Sequence, residues 1–141
     1  MLVTEQNYKD VKLKLSKVDT WIVDVETNGL DPFGKNQICG LGVGTLEGET
    51  YYFPFRHQQG NNLPSEMQKD IIAVANLRTT LIGYNLKFDL HFLAAEGLEV
   101  LNKTLIDVIV MVRLTEPSEE KDMGLSKTIV RSYGQEALNM M

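Results

Sequence analysis

Three strand-like runs stand in succession ahead of an alternation of helical and strand-like segments, and that order leaves few folds open to this chain. Trp21-Ile22-Val23-Asp24-Val25-Glu26 is β-branched and aromatic and runs into the turn formers Asn28-Gly29 and Asp31-Pro32. Residues 37–45 and 50–55 follow as two more strand-like runs, separated by Glu47-Gly48-Glu49 at the spacing of a hairpin. Leu63-Pro64-Ser65-Glu66 then introduces a helical pattern through Met67, Ile71, Ile72, Val74 and Ala75. The short apolar run Leu81-Ile82-Gly83-Tyr84 leads through Asn85 into a helix over residues 86–96 that Gly97 terminates. Residues 104–110 pass from strand to helix, and the tail over residues 121–141 reads as helical around Leu125, Ile129 and Val130. Residues 1–18, with apolar Val11, Leu13, Leu15 and Val18 among lysines, fit a helix or a strand equally. An antiparallel meander followed by alternating helix and strand implies an α/β domain with a mixed sheet. At 141 residues, 43% of them hydrophobic, one domain with one core is expected over residues 1–141.

The charge balance removes one way of holding nucleic acid. A net charge of −5 is wrong for a broad basic face that displaces counterions, although bound cations around an acidic cluster reverse the local sign. Cys39 is the single cysteine, which excludes an internal disulfide and a Cys-rich zinc site; within Ile38-Cys39-Gly40-Leu41 it reads as a small buried residue. No apolar stretch approaches the roughly 18 residues of a membrane span, and the first residues lack the layout of a signal peptide, so a cytoplasmic protein without a membrane partner is expected.

The acids carry the chemistry. Asp24 and Glu26 are two apart on a strand, so both project from one face, and two unpaired carboxylates there call for a cation. Asp89 lies in Asn85-Leu86-Lys87-Phe88-Asp89-Leu90-His91-Phe92, on a helix following a strand that can neighbour the Asp24 strand. Oxygen ligands of this kind suit Mg²⁺ or Mn²⁺ rather than zinc. Taken singly, each of these acids reads more readily as solvated surface than as a catalytic group. Asp107, among aliphatics in Leu105-Ile106-Asp107-Val108, suits a cap for the next helix as well as a metal. His91 reads as a rim residue and His57 as a loop histidine without a partner.

The wording around the acids is more specific. Asp24-Val25-Glu26-Thr27-Asn28-Gly29-Leu30-Asp31-Pro32 resembles the first motif of the DEDD exonuclease superfamily, and Gly83-Tyr84-Asn85-Leu86-Lys87-Phe88-Asp89 resembles its second. Within that superfamily, the second motif and Phe53-Pro54-Phe55-Arg56-His57 are most similar to the proofreading domain of family A DNA polymerases, phage ones especially, over roughly residues 20–135. The resemblance implies a ribonuclease H-like fold and a 3′→5′ exonuclease that uses two divalent ions, Mg²⁺ or Mn²⁺. It makes Asp24, Glu26 and Asp89 the catalytic, metal-binding acids. It places Thr27, Leu30, Asn85 and Phe88 against the 3′ end of single-stranded DNA. The family's third motif, a Tyr or His followed by the fourth acid, has no match: Tyr133-Gly134-Gln135-Glu136-Ala137 carries Ala where the aspartate belongs. A C-terminally incomplete domain is therefore expected, completed by a polymerase domain or another chain, or self-associating through uncovered apolar surface. Two alternatives stay open: a catalytically incomplete fragment that binds 3′ ends or docks on another chain, and an RNA-processing exonuclease of the same superfamily.

Overall fold

The computed structural model describes residues 1–115; the expected tail helix and the Tyr133 segment lie outside them. The chain divides into two compact units, Met1–Asp107 and Val108–Met141.

The first unit opens with α1 (Tyr8–Ser16), which settles the N-terminal ambiguity. Tyr8, Val11 and Leu15 recur at helical spacing and are buried, whereas Leu13 is exposed and belongs to the outer face. The sheet is built from β1 (Thr20–Thr27), β2 (Ile38–Gly44), β3 (Thr50–Pro54), β4 (Thr80–Gly83) and β5 (Thr104–Asp107), in the spatial order β3-β2-β1-β4-β5. β1, β2 and β3 form the antiparallel meander, and β4 and β5 add in parallel on the other side of β1. α2 (Ser65–Asn76) and α3 (Leu86–Ala95) supply the crossovers that parallel strands require. This is the mixed α/β sheet that the strand order implied. The second unit contributes α4 (Val108–Thr115).

Burial along β1 alternates with period 2. Trp21, Val23 and Val25 are buried, and Ile22, Asp24 and Glu26 face outward. Trp21, fully buried, donates its indole N–H to the Leu15 carbonyl at the end of α1. Arg78 is buried beside it. Its guanidinium donates to the carbonyls of Val74, Leu15, Ser16 and Val18, tying the end of α1 and the turn after it to the end of α2.

Two further devices position the elements around the site. Residues 1–3 pair along the outer edge of β3: the Tyr52 N–H donates to the Met1 carbonyl, and the Tyr52 carbonyl accepts from Val3, both at 2.9 Å. The edge strand is thereby covered. α3 ends as Gly97 led one to expect. Gly97 sits at φ 107°, its N–H reaches the Ala94 carbonyl, and the Leu98 N–H reaches Leu93, which is a Schellman closure.

Candidate active site

The register between β1 and β2 sets the acids in an open lane. Asp24 lies opposite Gly42, Glu26 opposite Gly40 and Ile22 opposite Gly44, so no side chain on β2 stands beside the outward face of β1. One side chain crosses the lane from β3. Tyr52 reaches over Gly40 so closely that a Cβ there would lie 1.8 Å from its hydroxyl oxygen. The Tyr52 hydroxyl donates to Glu26 Oε2 at 3.0 Å, and His57 Nε2 lies 2.6 Å from the same hydroxyl. Burial, and after it the bond to Glu26, raise the hydroxyl's pKa, so it remains a donor. Beside Glu26 the register shifts by one residue, bulging β2 at Cys39, whose carbonyl accepts from both Phe55 and Arg56. Cys39 is half-buried there, more accessible than its apolar neighbours suggested.

Asp89 comes to this lane from α3. β4 stays paired with β1 only as far as Ile22, and the chain then turns at Asn85, the one described non-glycine residue with positive φ (57°). Asp107 holds that turn: its Oδ1 and Oδ2 accept the N–H groups of Asn85 and Leu86, each at 2.9 Å. Asp107 thus caps α3, the helix before it, a role that the sequence did not suggest. Phe88, in the first turn of α3, is half-buried with its ring 5.0 Å from that of Phe92. Asp89 itself is 4% exposed and accepts a hydrogen bond from the Val25 backbone, between the two strand acids.

The three carboxylates are electrostatically coupled. Asp89 is pushed up to about 7, chiefly by burial and next by the charge of Asp24, against the smaller opposing effect of the Val25 bond. Asp24 is raised as well, by loss of water around its carboxyl and then by Glu26, although the residue keeps an exposed edge. Asp89 Oδ2 is buried without a hydrogen-bond partner. Among the described residues no three His, Cys, Asp or Glu side chains are already drawn into a metal cage. The acids are neighbours with spare oxygens, an arrangement that suits a hard cation keeping much of its water and taking one or two carboxylates.

The remaining candidates surround these acids. Leu30 is 82% exposed in the loop after β1, as is Phe33. That loop is braced internally. Thr27 Oγ1 donates to the Gly29 carbonyl, Asn28 Oδ1 accepts from Gln37, and Asn36 Oδ1 accepts from Asp31. Phe33 packs edge-on against His91 at 5.1 Å, tying the loop to α3. The Asn85 side chain is exposed and makes no capping bond. Sequence reasoning missed Tyr52 and left His57 without a partner. The signal was present in the alternate glycines 40, 42 and 44 and in the period of Tyr51-Tyr52-Phe53, which turns Tyr52 to the acids' side of the sheet.

Known proteins share parts of this sequence and its fold. No family model matches the chain. Over 103 residues, 71% of the chain, it is 29% identical to the DNA polymerase I of Synechocystis sp., and over 67 residues, 46% of the chain, 41% identical to a DNA-directed DNA polymerase of Pseudomonas phage M6. The chain spans about 10% of the length of each of these relatives. Among solved structures, the EXO domain of Aedes aegypti Nibbler superposes with a TM-score of 0.68 at 12% identity, covering 95% of this chain and 68% of that one. Brucella melitensis NrnC with bound Mg²⁺ gives 0.61 at 19%, covering 85% and 56%. No helix among the described residues is long and apolar enough to cross a membrane. The chain thus shares sequence with DNA polymerases and has the ribonuclease H-like fold of DEDD-type exonuclease domains.

Proposed function

We propose that this chain carries the acidic part of a metal-dependent 3′→5′ exonuclease site that trims single-stranded DNA ends, as in the proofreading that accompanies DNA synthesis. One observation carries the reading: Asp89 Oδ2 is buried without a partner while Asp24 bears on the same carboxyl, a costly arrangement unless a cation compensates it. Asp24, Glu26 and Asp89 are the residues that would hold Mg²⁺ or Mn²⁺. The Mg²⁺ bound to NrnC, a protein of the same fold, supports that choice of ion. Two such ions would supply Lewis acidity for phosphodiester hydrolysis and offset charge on the attacked phosphate.

The protein's own groups would deliver the substrate. Leu30 and Phe33 offer exposed apolar surface to unstacked bases on a loop that is already braced, so little order has to be gained on binding. Exposed Asn85 adds polar contacts at the end of the lane. Stacking of this kind holds a single strand without the basic face that a net charge of −5 denies.

Polymerase relatives favour DNA as the substrate and a polymerase as partner. NrnC bound to pGG supports a second reading, hydrolysis of short RNA-type substrates. The test is a Mn²⁺ titration of the full chain by calorimetry, beside Asp24→Ala, followed by cleavage of 5′-labelled single-stranded DNA and RNA. Saturable binding lost in the variant and stepwise shortening of DNA support the proposal. Preference for RNA moves the chain to the second reading, and binding without cleavage makes it a carrier of the acids only. Absence of Mn²⁺ binding by the wild type defeats the metal assignment.

A further inference from the structure

Glu26 is a flexible side chain on an exposed strand face, and its usefulness to a cation depends on what restrains it. An ionised carboxylate only accepts, and a phenol has a single proton. The Tyr52 proton therefore goes to Glu26 Oε2, and His57 Nε2, 2.6 Å from the phenol oxygen, has to be the donor of the next bond. The direction runs from His57 to Tyr52 to Glu26, and it fixes the proton of a neutral His57 on Nε2.

Both relay residues are held from behind. Asn62 clamps the His57 backbone reciprocally, accepting its N–H at 2.8 Å and donating to its carbonyl at 2.9 Å. The Tyr52 backbone is bonded on both sides by residues 1 and 3. The space the phenol needs exists only because residue 40 is glycine.

We propose that Tyr52, fixed by His57, is a positioning residue that restrains Glu26 through Oε2 and so reserves Oε1 for a cation. The inference rests on the reading of Glu26 as a metal-binding acid. Partners at one remove from a ligating carboxylate orient it, and their loss commonly costs about 10- to 100-fold in metal affinity.

The experiment is calorimetric Mn²⁺ titration of the full chain as wild type, Tyr52→Phe, Gly40→Ala, His57→Ala and the Tyr52→Phe/His57→Ala double variant, with Asp24→Ala as control. Tyr52→Phe is expected to weaken Mn²⁺ binding by about tenfold with an unchanged melting temperature. Gly40→Ala keeps the tyrosine but displaces its hydroxyl, and is expected to do the same. His57→Ala is expected to weaken binding alone and to add nothing once Tyr52 is Phe, which a merely structural histidine would not do. Wild-type affinity in Tyr52→Phe, with binding still lost in Asp24→Ala, overturns this inference and leaves the proposed function standing. No Mn²⁺ binding by the wild type overturns both.

Discussion

Replacing Asp89 with Asn is expected to make the metal-free protein more stable at pH 8, and the size of the gain follows from the site. Asp89 ionises near 4 in an unfolded chain and at about 7 in the folded one. Below pH 4 both states hold the proton and nothing is lost. Between those values the unfolded chain has released its proton while the folded chain keeps it, so stability falls as pH rises until the folded group ionises. Each pH unit in that window costs about 1.4 kcal/mol. From pH 5 to 8 the wild type crosses about two such units, a loss of roughly 3 kcal/mol that the uncharged amide of Asp89→Asn does not incur. The amide also keeps an oxygen for the Val25 N–H. The assay is urea unfolding of both full-length proteins in EDTA at pH 5 and pH 8. The quantity that matters is the change in their stability difference between the two, which cancels any constant cost of the substitution. Mn²⁺ at pH 8 is expected to restore the wild type alone. Parallel stability profiles for the two proteins across this range would refute the assignment of a buried, uncompensated carboxylate at Asp89.

Other substitutions test the frame around the site. Asp107→Ala removes both acceptors at the start of α3 and is expected to cost about 2 kcal/mol in denaturant unfolding, with faster amide exchange at Leu86. Arg78→Met removes a donor from four carbonyls, two of which (Ser16 and Val18) have no other donor among the hydrogen bonds described, and is expected to cost about 3 kcal/mol by thermal unfolding, with Arg78→Lys restoring only part because it lacks the planar fork. Gly97→Ala forces a side chain onto positive φ and is expected to cost about 1 kcal/mol in the same assay.

Local pattern was the part of this fold that the sequence displayed. The period-2 run over residues 21–26 placed Asp24 and Glu26 on one face, and the burial of Trp21, Val23 and Val25 behind them agrees. Gly97 announced a helix end for the same reason, since few residues tolerate the conformation that closes a Schellman turn. Residues 1–18 stayed ambiguous because Leu13 falls outside the apolar stripe of Val11 and Leu15. The hold of Asp107 on the start of α3 was not legible because its partners lie 21 and 22 positions back, where only tertiary structure brings them together. His57 looked solitary for a related reason. Its partner is five residues away, yet the contact forms only when β3 is flat against a strand of glycines. The spare oxygen of Asp89 is a property of three-dimensional enclosure that no residue pattern expresses.

The bond from Asp107 to the Asn85 turn also orders events in time. A chain leaves the ribosome from its N-terminus, so the strand acids Asp24 and Glu26 emerge and can pair with the glycine strand long before α3 has its cap. The acceptors that fix the start of α3, and with it the seat of Asp89, arrive 22 residues after the turn they hold. Synthesis therefore supplies the whole antiparallel half of the sheet, and Asp89 itself, before it supplies the strand β5 that carries this cap. A stretch of chain that ends after Asp89 but before Asp107 therefore holds all three acids but lacks the acceptors that fix the turn leading to the third.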